Sequence, residues 1–142
     1  MKPSRQMQEA VTAIAKKHGL DLNQKGACLR LTMSHYDPLV IEVLHESLVN
    51  VAHVYEPRPD VRIADPAIAF FTGYDLWVAV EVSQRIGGYR IYAALADDMS
   101  EITAVFPVQQ ADLAEFAEMW AANIVEQGWL ENGILDLESY PF

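Results

Sequence analysis

The chain has 142 residues, 51% of them hydrophobic and 21% charged, the size and composition of one folded domain, which excludes a disordered chain. Ten Lys+Arg against twenty Asp+Glu give a net charge of −10, and an extended phosphate-binding surface, which needs clustered cations, is excluded with it. The single cysteine, Cys28, leaves no internal disulfide and no Cys-rich zinc site.

In chain order, residues 3–18 read as an amphipathic helix. Met7, Ala10, Val11 and Ile14 recur at three- and four-residue spacing, Pro3 or Ser4 opens it, and Gly19 closes it. Lys16 and Lys17 fall where cations offset a helix dipole. From Ala27 the period becomes two, with Ala27, Leu29, Leu31 and Met33 on one face of a strand. His35-Tyr36-Asp37-Pro38 is a turn, Leu39–Leu44 a second strand, His45–Ser47 a turn and Leu48–Tyr55 a third strand.

Pro57-Arg58-Pro59-Asp60 predicts a loop reaching to Asp65-Pro66, followed by a short strand at Ile68–Phe71. Leu76, Val78, Val80 and Val82 then share one strand face, with Trp77, Ala79 and Glu81 on the other. Gly87-Gly88 marks a tight hairpin, after which Tyr89–Leu95 returns antiparallel. Leu113, Phe116, Ala117, Trp120, Ala121 and Ile124 trace the core side of a second helix. Gly128 is placed as its left-handed C-cap residue, with Trp129 following. The expected fold is α+β: an antiparallel meander of about five or six strands, with both helices on one face. Residues 1–130 form the domain and residues 131–142 a loose tail.

Charge is unevenly distributed. Arg90 is the last cation, so residues 1–90 balance ten Lys+Arg against ten Asp+Glu, and the remainder carries ten uncompensated carboxylates. Asp112, Glu115 and Glu118 lie on the polar side of the second helix with no lysine four residues on. Together with Trp77, whose sheet face is either open, as an interface anchor needs, or covered by a helix, they are the candidate surface for a basic protein partner. A separate candidate ligand site gathers His53, Tyr55, Glu56, Asp60 and Asp65, since imidazole, phenol and carboxylates supply acid–base and binding chemistry. None of the tight metal-site spacings, nucleophile elbows or phosphate loops occurs. No catalytic residue, metal or cofactor is therefore assigned.

The runs Tyr36-Asp37-Pro38-Leu39-Val40-Ile41-Glu42 and Val51-Ala52-His53-Val54-Tyr55-Glu56, with Asp60 and Asp65-Pro66, resemble a small uncharacterised family. The closing run Phe116-x-x-Met119-Trp120-x-x-Asn123-Ile124-x-x-Gln127-Gly128-Trp129 is similar to that family's C-terminal helix. The likeness spans roughly residues 36–130. It implies a setting on bacterial phages, plasmids or integrated elements and carries no assigned activity.

The leading expectation is a non-enzymatic interaction protein that binds a basic, even a nucleic-acid-binding, protein surface without contacting nucleic acid itself. The alternatives are a ligand-binding or hydrolytic domain at His53–Asp65 and a homo-oligomeric structural protein, the chain being a monomer or homodimer. No apolar run reaches the roughly 18–20 residues of a membrane span, and the N-terminus lacks an apolar signal segment. A cytoplasmic protein without membrane association is expected.

Overall fold

The computed structural model of the chain describes residues 1–137. It begins with α1 (Arg5–His18), whose Met7, Val11 and Ile14 are buried. Each such side chain contributes about 1.5–3 kcal/mol on leaving water. The helix stops at Gly19, which adopts φ +72° so that its N–H reaches the carbonyls of Ala15 and Lys16. Its start is less conventional. Ser4 is the N-cap residue, yet its hydroxyl makes no capping bond; its backbone N–H donates instead to Trp77 O at 2.9 Å.

Strands β1 (Cys28–Thr32), β2 (Leu39–His45), β3 (Leu48–Arg58), β4 (Val61–Phe71), β5 (Val78–Gln84) and β6 (Gly88–Ile91) follow as an antiparallel meander. A second ribbon pairs β7 (Ala93–Leu95) with β8 (Ile102–Val105). Helices α2 (Pro107–Gln127) and α3 (Trp129–Asn132) then lead to β9 (Ile134–Leu135), which joins the free edge of β1. Among the described residues the main sheet therefore has seven strands in the order β6-β5-β4-β3-β2-β1-β9.

The helices lie on one face. Leu31, Ile41, Val51, Ile68 and Phe70 meet Met7, Ile14, Leu113, Trp120, Ile124 and Trp129 in one apolar core. On the other face, the β7–β8 ribbon covers Leu48, Ala69, Phe71, Val78 and Val80. Gln110 ties the layers together from inside α2. Its Oε1 accepts the Lys2 N–H at 2.8 Å, and its Nε2 donates to the carbonyls of Lys2 and Ala79. A buried amide so fully bonded fixes the entry of the chain as well as the height of α2.

Three local expectations need correction. The segment from Pro57 to Pro66 is not a loop, because β3 and β4 run on through it as a long hairpin. Prolines fit there because the ladder shifts register at both places, between Tyr55 and Arg58 and again between Ala52 and Val54, so no N–H is missed. The Asp65-Pro66 peptide is cis. In β5 the simple alternation fails at a bulge. Ala69 pairs with Glu81 but Phe70 with Ala79, leaving Val80 as the extra residue. Val78 and Val80 consequently face the ribbon, whereas Trp77, Ala79 and Val82 face the helices. Finally, residues 131–137 are not a loose tail. Ile134 and Leu135 pair with Thr32 and Leu31, and Asp136 N–H donates to Arg30 O at 2.9 Å. The part of that expected tail from 138 to 142 lies outside the described residues.

Candidate functional site

The four residues expected to form an acidic interaction surface have separate structural settings. Trp77 is only 6% exposed, under the helices, with its ring 5.9 Å from that of Phe70. The bulge at Val80 and the α1 entry, where Trp77 N–H meets Gln8 Oε1 at 3.0 Å, put it there. Glu115 pairs with Lys2 Nζ at 2.7 Å, and that ammonium holds its carboxyl below the ordinary glutamate range. Both carboxylate oxygens of Glu118 accept the Gln6 N–H, at 3.1 and 3.0 Å. Glu118 thus caps α1 from another helix and does the work that Ser4 does not. Asp112 faces a separate hollow beside Gln84, Tyr92 and Phe116. Two of the three acidic positions that lacked a lysine at i+4 are engaged with the N-terminal segment.

Replacing Glu118 with alanine should therefore cost about 1 kcal/mol, the usual value of a helix cap. Glu115→Ala, which breaks an exposed ion pair, should change stability little. Urea denaturation of both variants gives the comparison, and a larger loss for Glu115→Ala would contradict the capping role.

A different acidic surface lies between the helices. A groove of about 540 Å³ runs along α1 and α2, with Ala10, Ala13, Ile14, Ala122, Ile124, Val125 and Leu130 as its apolar lining. Val125 is 61% exposed there. Glu9, Glu126 and Glu131 stand along the rim. Unlike Glu115 and Glu118, their side chains have no ion-pair or hydrogen-bond partner among the described residues. Glu126 sits in the last turn of α2, where a carboxylate opposes the helix dipole. The sequence carries one trace of this groove: Ala122 and Val125, three apart, form a second apolar stripe beside the core stripe of α2.

The second candidate region divides. His53, Tyr55 and Asp65 border two adjoining hollows that share Asp37 and Asp65. Glu56 is on the opposite face of β3, where its Oε1 accepts from Arg30 Nη2 at 2.5 Å. Asp60 is in the turn between β3 and β4 and borders neither hollow. His53 lies against α2 and α3, its ring 5.5 Å from Trp120 and 5.6 Å from Trp129. Burial there pushes its imidazole below the ordinary histidine range, opposed by bonds to the Pro38 and Asp37 backbone and by the Asp37 charge. Its Nδ1 is 3.1 Å from Asp37 O. No three His, Cys, Asp or Glu side chains among the described residues are grouped to hold a metal ion. Cys28 packs beside Val40, Ala52 and Val54 on the face away from these hollows.

A family model described as Domain of unknown function (DUF6908) matches residues 9–130. The chain belongs to this family. No curated protein and no solved structure matches it. The DUF6908 span begins within α1 and ends within α3, so it holds the six-strand meander, the β7–β8 ribbon and most of both candidate regions. Gln6, Glu131, β9 and Asp136 lie outside it. Among the described residues no helix is long and apolar enough to cross a membrane.

Proposed function

We propose that this DUF6908 chain is a non-enzymatic docking protein of a mobile element, and that it binds a basic amphipathic helix of another protein along the α1–α2 groove. The observation that carries this is the groove itself: an apolar floor open to solvent, rimmed by Glu9, Glu126 and Glu131. An exposed apolar strip between two helices accepts the apolar face of a third, read as i, i+3, i+4 and i+7 anchors. Lysines or arginines flanking that face would meet the three rim carboxylates. The unfavourable place of Glu126 at a helix C-terminus supports the reading, because no cation among the described residues pairs with it. A second copy of the chain is a poor occupant. A two-fold axis through the groove brings like residues together, and here those include the rim carboxylates.

The test uses a labelled Leu/Lys amphipathic peptide of about five helical turns, followed by fluorescence anisotropy. Saturable binding is expected, weakened about tenfold or more, equivalent to about 1.4 kcal/mol, by Glu9→Lys/Glu126→Lys/Glu131→Lys and by Val125→Asp. A Lys peptide of equal charge with its apolar residues scrambled should bind far more weakly. Equal binding of the scrambled peptide would reduce the effect to bulk attraction by the −10 charge and overturn the proposal. A dimer in light scattering that Val125→Asp dissociates would overturn it as well, since a second copy would then fill the groove.

A further inference from the structure

The two hollows beside His53 adjoin through Asp37 and Asp65 and together make a polar cleft near Gln127, where α2 stops. The inner part, about 450 Å³, is bordered by His35, Tyr36, Asp37, His53, Asp65 and Gln127. The outer part, about 290 Å³, adds Tyr55, Ile63 and Arg85. We propose that this cleft binds a small organic cation carrying several N–H donors, a guanidinium or amine, at Asp37, Asp65 and His53.

The lining is weighted toward acceptors. Neither Asp37 nor Asp65 makes a side-chain ion pair or hydrogen bond with the described residues, so both carboxylates are available to a ligand. His53 adds a third acceptor. With Nδ1–H donating to Asp37 O, a neutral ring presents an unprotonated Nε2. Gln127 is held in place because its Oε1 accepts Trp129 Nε1–H at 2.9 Å. The walls are aromatic: Tyr36 is 44% exposed with its ring 6.0 Å from Trp129, and Tyr55 is 40% exposed. Faces of this kind attract a cation in addition to the carboxylates.

The backbone explains why these groups meet. Ala52 pairs with Ala67 and Val54 with Ala64, so two residues of β4, Asp65 and Pro66, stand opposite the single residue His53. Bulges re-aim side chains in this way. From the other side, the β1–β2 turn brings Asp37, and His35 occupies a left-handed conformation at φ +73°, uncommon outside glycine.

The chemistry discriminates among ligands. Two unpaired carboxylates repel phosphates and carboxylic acids. A polar lining offers little to an apolar ligand. A planar or flexible N–H donor set matches two carboxylates and an imidazole nitrogen. Arg85, whose guanidinium lies 5.9 Å from the centre of the Tyr55 ring, bounds the far end of the cleft and favours a ligand whose positive charge sits at the Asp37–His53 end.

Isothermal titration calorimetry with agmatine, which carries a guanidinium and an ammonium, tests the site. One equivalent is expected to bind, with affinity reduced tenfold or more by Asp65→Asn and separately by Asp37→Asn, and unchanged by Glu101→Gln, an exposed carboxylate away from both the cleft and the groove. Asp37 is in an exposed turn, so its variant reports even if the Asp65 variant folds poorly. Absence of binding at millimolar agmatine would overturn the proposal. So would binding that survives both Asn variants, or several weak equivalents that Glu101→Gln diminishes equally, the signature of general attraction to an acidic protein.

Discussion

Truncating Arg30 to alanine is expected to lower the unfolding free energy by about 3 kcal/mol, the low end of the cost of removing one partner from a buried ion pair. Arg30 points to the sheet face away from the helices and is only 5% exposed. Its Nη2 meets Glu56 Oε1 at 2.5 Å and its Nε meets Asp136 Oδ2 at 3.2 Å. One guanidinium thus joins three elements: β1, the long β3–β4 hairpin and the segment after β9. Both carboxylates keep some solvent, at 27% and 21% side-chain exposure, and Glu56 has further support from Arg62 at 3.9 Å, which keeps the expected loss at that low end. The Nη1 atom of Arg30 is buried without a hydrogen-bond partner among the described residues, itself a cost of about 1–3 kcal/mol. A neutral, shape-preserving replacement removes that cost together with the charges. Arg30→Met/Glu56→Gln/Asp136→Asn should accordingly recover more than half of what Arg30→Ala loses. Urea denaturation measures both, and hydrogen exchange at the Asp136 amide, bonded to Arg30 O, reports whether β9 has released. A triple variant as unstable as Arg30→Ala would show that the ion pairs themselves are net stabilising.

The sequence reveals what depends on periodicity and hides what depends on distant partners. The core sides of α1 and α2, the Gly87-Gly88 hairpin and the Gly128 stop all follow from local spacing or from a positive φ that glycine alone takes readily. Each bulge, by contrast, shifts the phase of a strand, and no local signal announces it. Val80 exchanges the faces of β5 and buries Trp77, and the doubled residues opposite His53 turn a supposed loop into the floor of a cleft.

The charge pattern shows the same division. The cation-free stretch after Arg90 is evident from the residue list. Only the packing of α1 against α2 separates Glu115 and Glu118, engaged by Lys2 and Gln6, from the unengaged Glu9, Glu126 and Glu131. Glu9 precedes the acidic third of the chain altogether, so no composition boundary could have placed it on that rim. Of the candidate ligand set, His53, Tyr55 and Asp65 converge as strand neighbours do. Glu56 departs because adjacent strand residues face opposite ways, and Asp60 because it occupies the hairpin turn.

Trp129→Ala should cost about 3–5 kcal/mol, the usual range for emptying a fully buried tryptophan site, and its effect should depend on pH in a defined direction. Trp129 is 0% exposed, contacts Tyr36 and His53 through its ring, and donates Nε1–H to Gln127 Oε1. It follows Gly128, whose φ of +86° ends α2 and starts α3, so the indole fastens the turn that sends the chain toward β9. Burial is the largest cause of the depressed His53 pKa. In the native protein the imidazole resists protonation, whereas in the unfolded chain it takes a proton near its ordinary 6.5. Below that pH the unfolded state binds more protons, and native stability falls as the solution is acidified. Removing the indole admits water to His53 and should raise its pKa toward the ordinary value, which NMR titration of the ring protons would follow. The variant then loses less to acid than the parent. The stability difference between them should be largest near pH 8 and narrower near pH 5. A difference that stays constant across that range, with the His53 titration unmoved, would mean that Trp120 and the Asp37 turn alone keep the imidazole dry.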